Sequence, residues 1–219
     1  PGRALTTDQA KTLLAHAETR RLYPVWLIML TVGLRPGEAT GLTWHDIDLD
    51  QGVIHIRRSL KLEGGKLNVD EHLKTRRSRR SLAAPPIVID ALRTQRQRQA
   101  EEWARRDLRA PGTDDLVFTT TEATPIDPSN LRRQFARLTK DTGLGTWHPH
   151  ELRHSAASIL SAAGVPLEHI ADTLGHDGTR MTALVYRHAI TPTITTPNIM
   201  GNILSNDGGT PAPGPPGAS

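Results

Sequence analysis

The chain carries the stretch Pro149-His150-Glu151-Leu152-Arg153-His154, which combines a helix start with three basic side chains. Proline is favoured in the first helical turn, so a helix is expected from Pro149 to Ala163. On a helical wheel His150, Arg153 and His154 share one face. The roughly opposite face is apolar and consists of Leu152, Ala156, Ile159, Leu160 and Ala163. The stretch therefore predicts a helix that packs through its apolar face and presents its basic face to a site.

The same stretch also matches His-Glu-x-x-His, the helical zinc-protease pattern in which two histidines bind the metal. Pro149 places His150 in the first helical turn, where an anion would sit, and not in mid-helix. The extended protease pattern needs glycine and histidine where this chain has Ala157 and Leu160. Zinc also offers no use for the other basic residues. We therefore predict no metal and no cofactor, and a zinc-dependent hydrolase that uses His150, Glu151 and His154 stays as an alternative.

A second basic residue follows a turn in Gly33-Leu34-Arg35-Pro36-Gly37-Glu38. Pro36 fits the first turn of a short helix, so Arg35 stands just before a helix start, where backbone amides favour anions. A guanidinium offers a rigid fork to phosphate oxygens, and Glu38 is placed to hold its rotamer. An ordinary capping arginine paired with Glu38 is the alternative.

Composition sets the broad class. The 219 residues carry a net charge of +4 with a pI near 9.8, which suggests a polyanionic partner such as nucleic acid. The absence of cysteine excludes disulfides, a thiolate nucleophile and cysteine-ligated zinc. The longest apolar run, Val25 to Leu34, is far shorter than the ~20 residues that span a bilayer and predicts a buried helix. The start lacks both Met and a signal-peptide pattern, so we expect part of a longer cytoplasmic protein.

The periodicity predicts a mainly α fold with a small antiparallel β-meander, an α+β class. Expected strands are Val53 to Leu60, Lys66 to Lys74 and Arg79 to Ala83. Expected helices besides those above are Gln9 to Glu18, Leu22 to Val32, Pro85 to Leu108, Asp127 to Thr142, Pro166 to Leu174 and Arg180 to His188. Residues 206–219 are rich in Gly and Pro and are expected to be disordered, which leaves residues 1–205 as one domain.

Two groups of arginines are candidates for DNA contact. Lys74 stands near the end of the second predicted strand, before a basic turn that contains Arg76, Arg77, Arg79 and Arg80. Such a hairpin is either a solvated surface or a phosphate-binding one. Arg132 and Arg133 lie on the helix after Asp127. Both groups are consistent with phosphate contact, which carries no sequence information.

Two further residues complete the candidate site. Gly175 is expected to end a helix as its C′ residue, which places His176 at the mouth of the site. Tyr186 is one of two tyrosines in the chain and follows His176 by ten residues. A helix-end histidine is usually a cap, and a tyrosine here is most often core packing. A phenol with a pKa of ~10 attacks at neutral pH only when nearby positive charge stabilises its phenolate.

The order and local contexts of these residues resemble the tyrosine recombinase (phage integrase) family from about Ala4 to Leu204. The matching positions are Arg35 with Glu38, Lys74, His150 and Arg153, His176 in Leu-Gly-His, and Tyr186 in Val-Tyr-Arg-His. The resemblance implies that Tyr186 attacks a phosphodiester to give a 3′-phosphotyrosyl enzyme, without metal or ATP. It assigns Arg35, Arg153 and His176 to the nonbridging oxygens and Lys74, with Lys66 as the alternative, to the leaving oxygen. It makes His150 the general base, while His154 is expected to be packed or supporting.

The resemblance also implies partners. A site-specific recombinase or integrase of a mobile element acts on double-stranded DNA attachment sites, with a homotetramer on DNA, a monomeric free fragment and a possible directionality factor. We expect the family's N-terminal core-binding domain, which clamps DNA, to be absent from this chain, and DNA binding to be weak as a result. A type IB topoisomerase shares the chemistry. A DNA-binding module without catalysis would keep the basic face without needing Tyr186.

Overall fold

The computed structural model describes residues 3–70, 79–175 and 196–205. Within these ranges helices predominate, and short strands form two small antiparallel sheets. The helices are α1 (Thr7–Ala17), α2 (Tyr23–Thr31), α3 (Pro36–Thr40), α4 (Pro86–Ala104), α5 (Pro128–Asp141), α6 (His150–Ala162), α7 (Leu167–Leu174) and α8 (Thr196–Leu204). The strands are β1 (Ile47–Asp48), β2 (Val53–Ile56), β3 (Ser59–Glu63), β4 (Lys66–Asp70) and β5 (Arg80–Ala83). The predicted fold class is confirmed.

Helix α2 is the centre of the core. Its residues from Pro24 to Thr31 are all buried, as expected for a helix that is apolar on every side. Trp26 packs against Phe135 of α5 with ring centroids 4.9 Å apart. Helices α1, α4, α6 and α8 all contact α2. The predicted buried helix is confirmed. Because α2 is packed on all sides, the turn that follows it is held in place by the core.

Side-chain caps hold the starts of α1 and α5. Thr6 caps α1, because its hydroxyl accepts from the Gln9 backbone N–H while the Gln9 side chain accepts from the Thr6 N–H. Asp127 caps α5 by accepting from the backbone of Ser129 and Asn130. Such hydrogen bonds satisfy amides that a helix start leaves without partners.

The predicted three-stranded meander is wrong in its connectivity. The first predicted strand is divided at Arg57 and Arg58 into β2 and β3, which belong to different sheets. Strand β2 pairs with β1 and β5, so that Ile54 stands opposite Leu82 and both are buried. The β3–β4 hairpin forms a separate sheet, and its Leu62 and Val69 are exposed. The hairpin is thus inserted between β2 and β5 in the sequence but lies outside their sheet.

Helix α8 packs on the same chain and was not predicted as a helix. It contacts β5, α1, α2, α4, α6 and α7, and its Met200 is fully buried. Gly201 lies directly against Pro85: a Cβ atom at that glycine would stand 2.4 Å from the proline Cβ. The predicted helix from Arg180 to His188 and the segment 206–219 lie outside the described residues. Within the described ranges, no helix is long and apolar enough to cross a membrane.

Candidate active site

Arg35 is fixed by the turn that joins α2 to α3. Gly33 adopts a positive φ of 72°, and Arg35 follows in an extended conformation as the residue before α3. Its backbone N–H donates to Glu38 Oε2 at 3.0 Å, and its Nη1 donates to Glu38 Oε1 at 2.8 Å. The Arg35 side chain is 45% exposed and that of Glu38 is 2% exposed. A buried carboxylate therefore anchors a guanidinium that still faces solvent.

Arg80 shares the same carboxylate from the opposite side. Its Nη1 and Nη2 donate to Glu38 Oε1 and Oε2 at 3.3 and 3.0 Å, and its Nε donates to the Thr173 carbonyl at 2.8 Å. The Arg80 side chain is 4% exposed. Arg80 is thus a buried ion-pair partner and not the exposed DNA-contacting arginine that the hairpin pattern predicted.

Ionisation of Glu38 follows from this pairing. Burial by itself raises the pKa of the Glu38 carboxyl, but the charge of Arg80 and hydrogen bonds from Arg80 and Arg35 outweigh burial and hold the pKa below its ordinary value. Glu38 is therefore ionised at neutral pH. Its charge offsets part of the repulsion between the guanidinium groups around it.

Arg153 enters the site from α6 with a buried side chain. Its Nη1 donates to the Gly33 carbonyl at 2.7 Å, and its Nη2 donates to the Leu174 carbonyl. Burial lowers the pKa of Arg153 to about 9, and the neighbouring charges of Arg35 and Arg80 act in the same direction while Glu38 opposes them. The guanidinium still carries its charge at neutral pH. Such a cation gains from an anion that replaces its lost hydration.

The C-terminus of α7 joins these arginines. Gly175 ends the helix in the left-handed conformation with φ of 63°, as predicted for a C′ glycine. Its carbonyl accepts from Arg35 Nη2 at 3.5 Å, one residue after the carbonyl that binds Arg153. The negative end of a helix dipole favours cations. The arrangement thus concentrates positive charge around the end of α7.

His150 and His154 stand on the exposed face of α6. Their ring centroids lie 6.0 Å apart, edge to face, and the His148 ring stacks on His150 at 5.8 Å. His154 was expected to be packed or supporting; it is exposed and therefore not packed, because the apolar face of α6 is the side turned to the core. His148 was missed, although its spacing of two residues from His150 was visible in the sequence.

Glu151 takes its hydrogen bonds from groups other than the histidine rings. It accepts from the His148 backbone N–H at 2.7 Å and from Arg3 Nε at 3.2 Å. Burial raises the pKa of Glu151, but those hydrogen bonds outweigh it and lower the pKa overall. Among the described residues, no group of three His, Asp or Glu side chains could hold a metal ion.

Several predicted site residues lie outside the described residues, namely Lys74, Arg76, Arg77, His176 and Tyr186. Lys66 is described and stands opposite Glu63 at the turn end of the β3–β4 hairpin. The other end of β3, at Ser59, packs against α3 beside the backbone of Gly37. At ~3.3 Å per residue, Lys66 lies roughly 13 Å along the hairpin from that contact.

Other basic side chains lie on α5 and in a groove beside Arg80. Arg132 and Arg133 are exposed on α5 and donate to Ser129 Oγ and Asn130 Oδ1 of the same helix. A groove of about 430 Å³ next to Arg80 is lined by Arg57, Arg58 and Arg79, among other residues. Arg57 and Arg58 approach the buried carboxylate of Asp46 at 3.6 and 3.7 Å. The sequence showed this arginine pair, but the strand pattern placed it within one continuous strand.

Solved structures of a transposon integrase and of a recombinase share this fold. The structure of the Tn1549 transposon integrase in complex with transposon right end DNA superimposes with a TM-score of 0.70 at 24% identity, covering 87% of this chain and 63% of that chain. XerA recombinase superimposes with a TM-score of 0.60 at 22% identity, covering 80% of this chain and 56% of that chain. The fold is therefore the tyrosine recombinase catalytic-domain fold that was predicted.

Sequence comparison shows the family. The model of the Phage integrase family matches residues 3–191. An integrase of Streptomyces ambofaciens is 35% identical over 209 residues, which cover 90% of this chain and 52% of that protein. A tyrosine recombinase XerC-like protein of Caldanaerobacter subterraneus subsp. tengcongensis is 31% identical, covering 84% of this chain and 49% of that protein. The chain belongs to the phage integrase family, and it spans about half the length of these curated relatives.

Proposed function

We propose that this chain is the catalytic domain of a site-specific DNA recombinase or integrase that cleaves and rejoins DNA through a tyrosine. One observation carries the proposal: Arg35 and Arg153, from distant parts of the sequence, donate to the adjacent carbonyls of Gly175 and Leu174. Two charged guanidinium groups are thereby held at one place. A scissile phosphate is an anion that suits such a pair.

The proposed reaction needs no metal and no ATP. Arg35, Arg153 and His176 hold the nonbridging oxygens and stabilise the charge that builds on them. The Tyr186 oxygen attacks phosphorus as its proton passes to His150, and the bond from phosphorus to the 5′ oxygen breaks. Lys74 gives a proton to that leaving oxygen. The 3′-phosphotyrosyl bond conserves the energy of the phosphodiester, so a 5′ hydroxyl can reverse the step and rejoin the strand.

Support for DNA as the partner comes from charge as well as fold. The chain carries a net charge of +4, and Arg132, Arg133 and Arg79 are exposed. The Tn1549 integrase structure includes transposon DNA. We propose double-stranded attachment sites of a mobile element as the substrate, with a homotetramer on DNA, a monomeric free domain and a cytoplasmic location. A directionality factor is a further proposed partner.

The test is formation of a covalent protein–DNA complex. The purified protein is incubated in EDTA with a nicked duplex whose binding site is first selected from a random pool by affinity. Nicking lets the short cleaved strand diffuse away, so the intermediate accumulates. The chain has two tyrosines, which supplies a matched pair of variants, Tyr186→Phe and Tyr23→Phe.

A denaturation-resistant band is expected for the parent protein and for Tyr23→Phe, and none for Tyr186→Phe. Binding without any covalent band would favour a DNA-binding module without catalysis. A band that persists in Tyr186→Phe would assign the nucleophile elsewhere. Cleavage that appears only when zinc is added would overturn the proposal.

A further inference from the structure

Arg80 is buried next to the candidate site but does not open onto solvent as Arg35 does. It is the first residue of β5, while its hydrogen-bond partners Glu38 and Thr173 belong to α3 and α7. Its side chain is 4% exposed, compared with 45% for Arg35. One side chain thus ties a strand and two helices together beneath the site.

Consecutive carbonyls at the end of α7 receive three different arginines. Thr173 accepts from Arg80, and Leu174 and Gly175 accept from the two arginines of the site. The last carbonyls of a helix have no partner within the helix, so they are free to accept from these side chains. The register of α7 therefore determines where the site arginines are held. Arg80 is the member of this set that anchors the register from the sheet.

We infer that Arg80 is a positioning residue that holds the phosphate-binding arginines through Glu38 and the C-terminus of α7. The inference rests on the proposed function, because it assumes that Arg35 and Arg153 bind the scissile phosphate. Arg80 fixes both oxygens of Glu38, and Glu38 in turn fixes the Arg35 guanidinium. Without Arg80, Glu38 can follow Arg35 toward solvent, and Thr173 loses its link to β5.

The geometry requires arginine and not any cation. The Nε of Arg80 points to a carbonyl while both Nη atoms reach the carboxylate, so the planar fork serves two elements at once. A lysine ammonium is a point charge and reaches one of these sites at a time. Arg80→Lys therefore keeps the charge but loses the link between Glu38 and α7, and Arg80→Met removes both.

The test compares cleavage of two substrates by folded variants. Arg80→Met, Arg80→Lys and Arg106→Met are examined by circular dichroism and assayed well below their unfolding temperatures. Arg106 is the matched control, since it forms an exposed ion pair with Glu122 at 2.6 Å. Single-turnover formation of the covalent complex is measured on the nicked duplex and on the same duplex with a methylphosphonate at the scissile position. The methyl group replaces one charged oxygen, so less positive charge is needed to stabilise the reaction.

On the phosphodiester, misplacement of the site arginines by Arg80→Met is expected to slow cleavage on the order of 100-fold, with DNA affinity little changed. Arg80→Lys is expected to fall between this variant and the parent. On the methylphosphonate the loss is expected to shrink to roughly tenfold or less, because the reaction then depends less on the arginines. Arg106→Met is expected to match the parent on both substrates.

The outcomes separate this inference from the proposed function. If the parent protein forms no covalent complex, the proposed function fails. If the parent reacts and a folded Arg80 variant reacts at the parent rate, only the positioning role is overturned. Equal losses on both substrates would also overturn it, since they would show an effect unrelated to phosphate charge. Should Arg80→Met not fold, the same comparison with Arg80→Lys decides the question.

Discussion

Arg153 of α6 donates a 2.7 Å hydrogen bond to the carbonyl of Gly33, the residue whose positive φ of 72° turns the chain from α2 toward Arg35. The backbone conformation of a glycine therefore aims an oxygen at one site arginine while it starts the loop that carries the other. Leu174, the second carbonyl partner of Arg153, also packs its side chain against this glycine. The turn and the end of α7 are thus one structural unit.

Gly33→Ala tests that unit. A Cβ atom at Gly33 would lie 2.2 Å from Leu174 Cδ2, and the positive φ is strained for any L side chain. We expect the free energy of unfolding to fall by about 2–5 kcal/mol, from left-handed strain and overpacking together. Urea unfolding followed by tryptophan fluorescence measures it.

The matched control is Gly145→Ala, since Gly145 has φ of 81° and a Cβ atom there would meet nothing within 4 Å. This variant isolates backbone strain and is expected to cost about 1–2 kcal/mol. Equal costs at the two glycines would show that the contact with Leu174 is unimportant.

Arg153→Lys should separate chemistry from binding. A lysine ammonium is a point charge and does not reproduce the planar fork that spans the carbonyls of Gly33 and Leu174. We expect the single-turnover cleavage rate to fall on the order of 10²–10³-fold, as for loss of one donor to a developing anion. DNA affinity, measured by fluorescence anisotropy, should change only a few-fold. A loss of affinity that accounts for the whole rate effect would contradict the assigned role.

Glu38→Gln should give a stability difference that depends on pH. The pKa of Glu38 in the folded protein lies below its ordinary value of 4.5. Ionised Glu38 therefore contributes stability that is fully present above the ordinary pKa and is lost as the pH falls through the lower folded pKa. We expect the variant to be less stable by about 3 kcal/mol at neutral pH, because buried Arg80 loses its ionic partner.

Below the folded pKa, protonated Glu38 is close in shape and charge to glutamine, so the two unfolding curves should converge. Glu122→Gln is the control, because Glu122 forms an exposed ion pair, for which about 0–1 kcal/mol is expected. A difference between parent and Glu38→Gln that stays constant down to acidic pH would contradict the buried ionised state.

Gly201→Val should loosen α8. The glycine lies against Pro85, where a Cβ atom would stand 2.4 Å from the proline Cβ, so valine cannot fit without a shift of the helix. We expect overpacking of about 1–3 kcal/mol to speed amide hydrogen exchange in α8 on the order of 10–100-fold. Asn202→Val, one residue on and exposed, should leave exchange nearly unchanged. Equal protection in both variants would show that α8 does not need the contact with Pro85.

Local patterns in the sequence were enough for much of the fold. The buried character of α2 and the C′ role of Gly175 were predicted correctly, because each depends on neighbours within one or two turns. The two faces of α6 were predicted for the same reason. The division between β2 and β3 was missed, since Arg57 and Arg58 do not interrupt the strand pattern.

The contacts of the site arginines could not be predicted from local sequence patterns. Arg80 and Arg79 are adjacent and chemically identical, yet Arg80 is buried and Arg79 is exposed. Their difference arises from strand β5, whose alternation turns Arg80 toward Glu38 and α7. The carbonyl partners of Arg153 were likewise invisible, because a sequence motif identifies side chains and not the backbone oxygens that orient them.

The exposed arginines of α5 are expected to contact DNA phosphates, and the salt dependence of DNA binding tests this. A side chain that neutralises one phosphate releases counterions, so its removal should lower the slope of log affinity against log salt by about 0.9 for duplex DNA. We expect this change for Arg132→Ala and for Arg133→Ala, measured by anisotropy between about 50 and 200 mM salt. The change should be the same for unrelated duplexes, because phosphate contacts do not read bases. Arg106→Ala is the control and should leave the slope unchanged. A slope that stays at the parent value in both α5 variants would place the DNA-binding surface elsewhere, and the groove of Arg57 and Arg58 would then be the next surface to test.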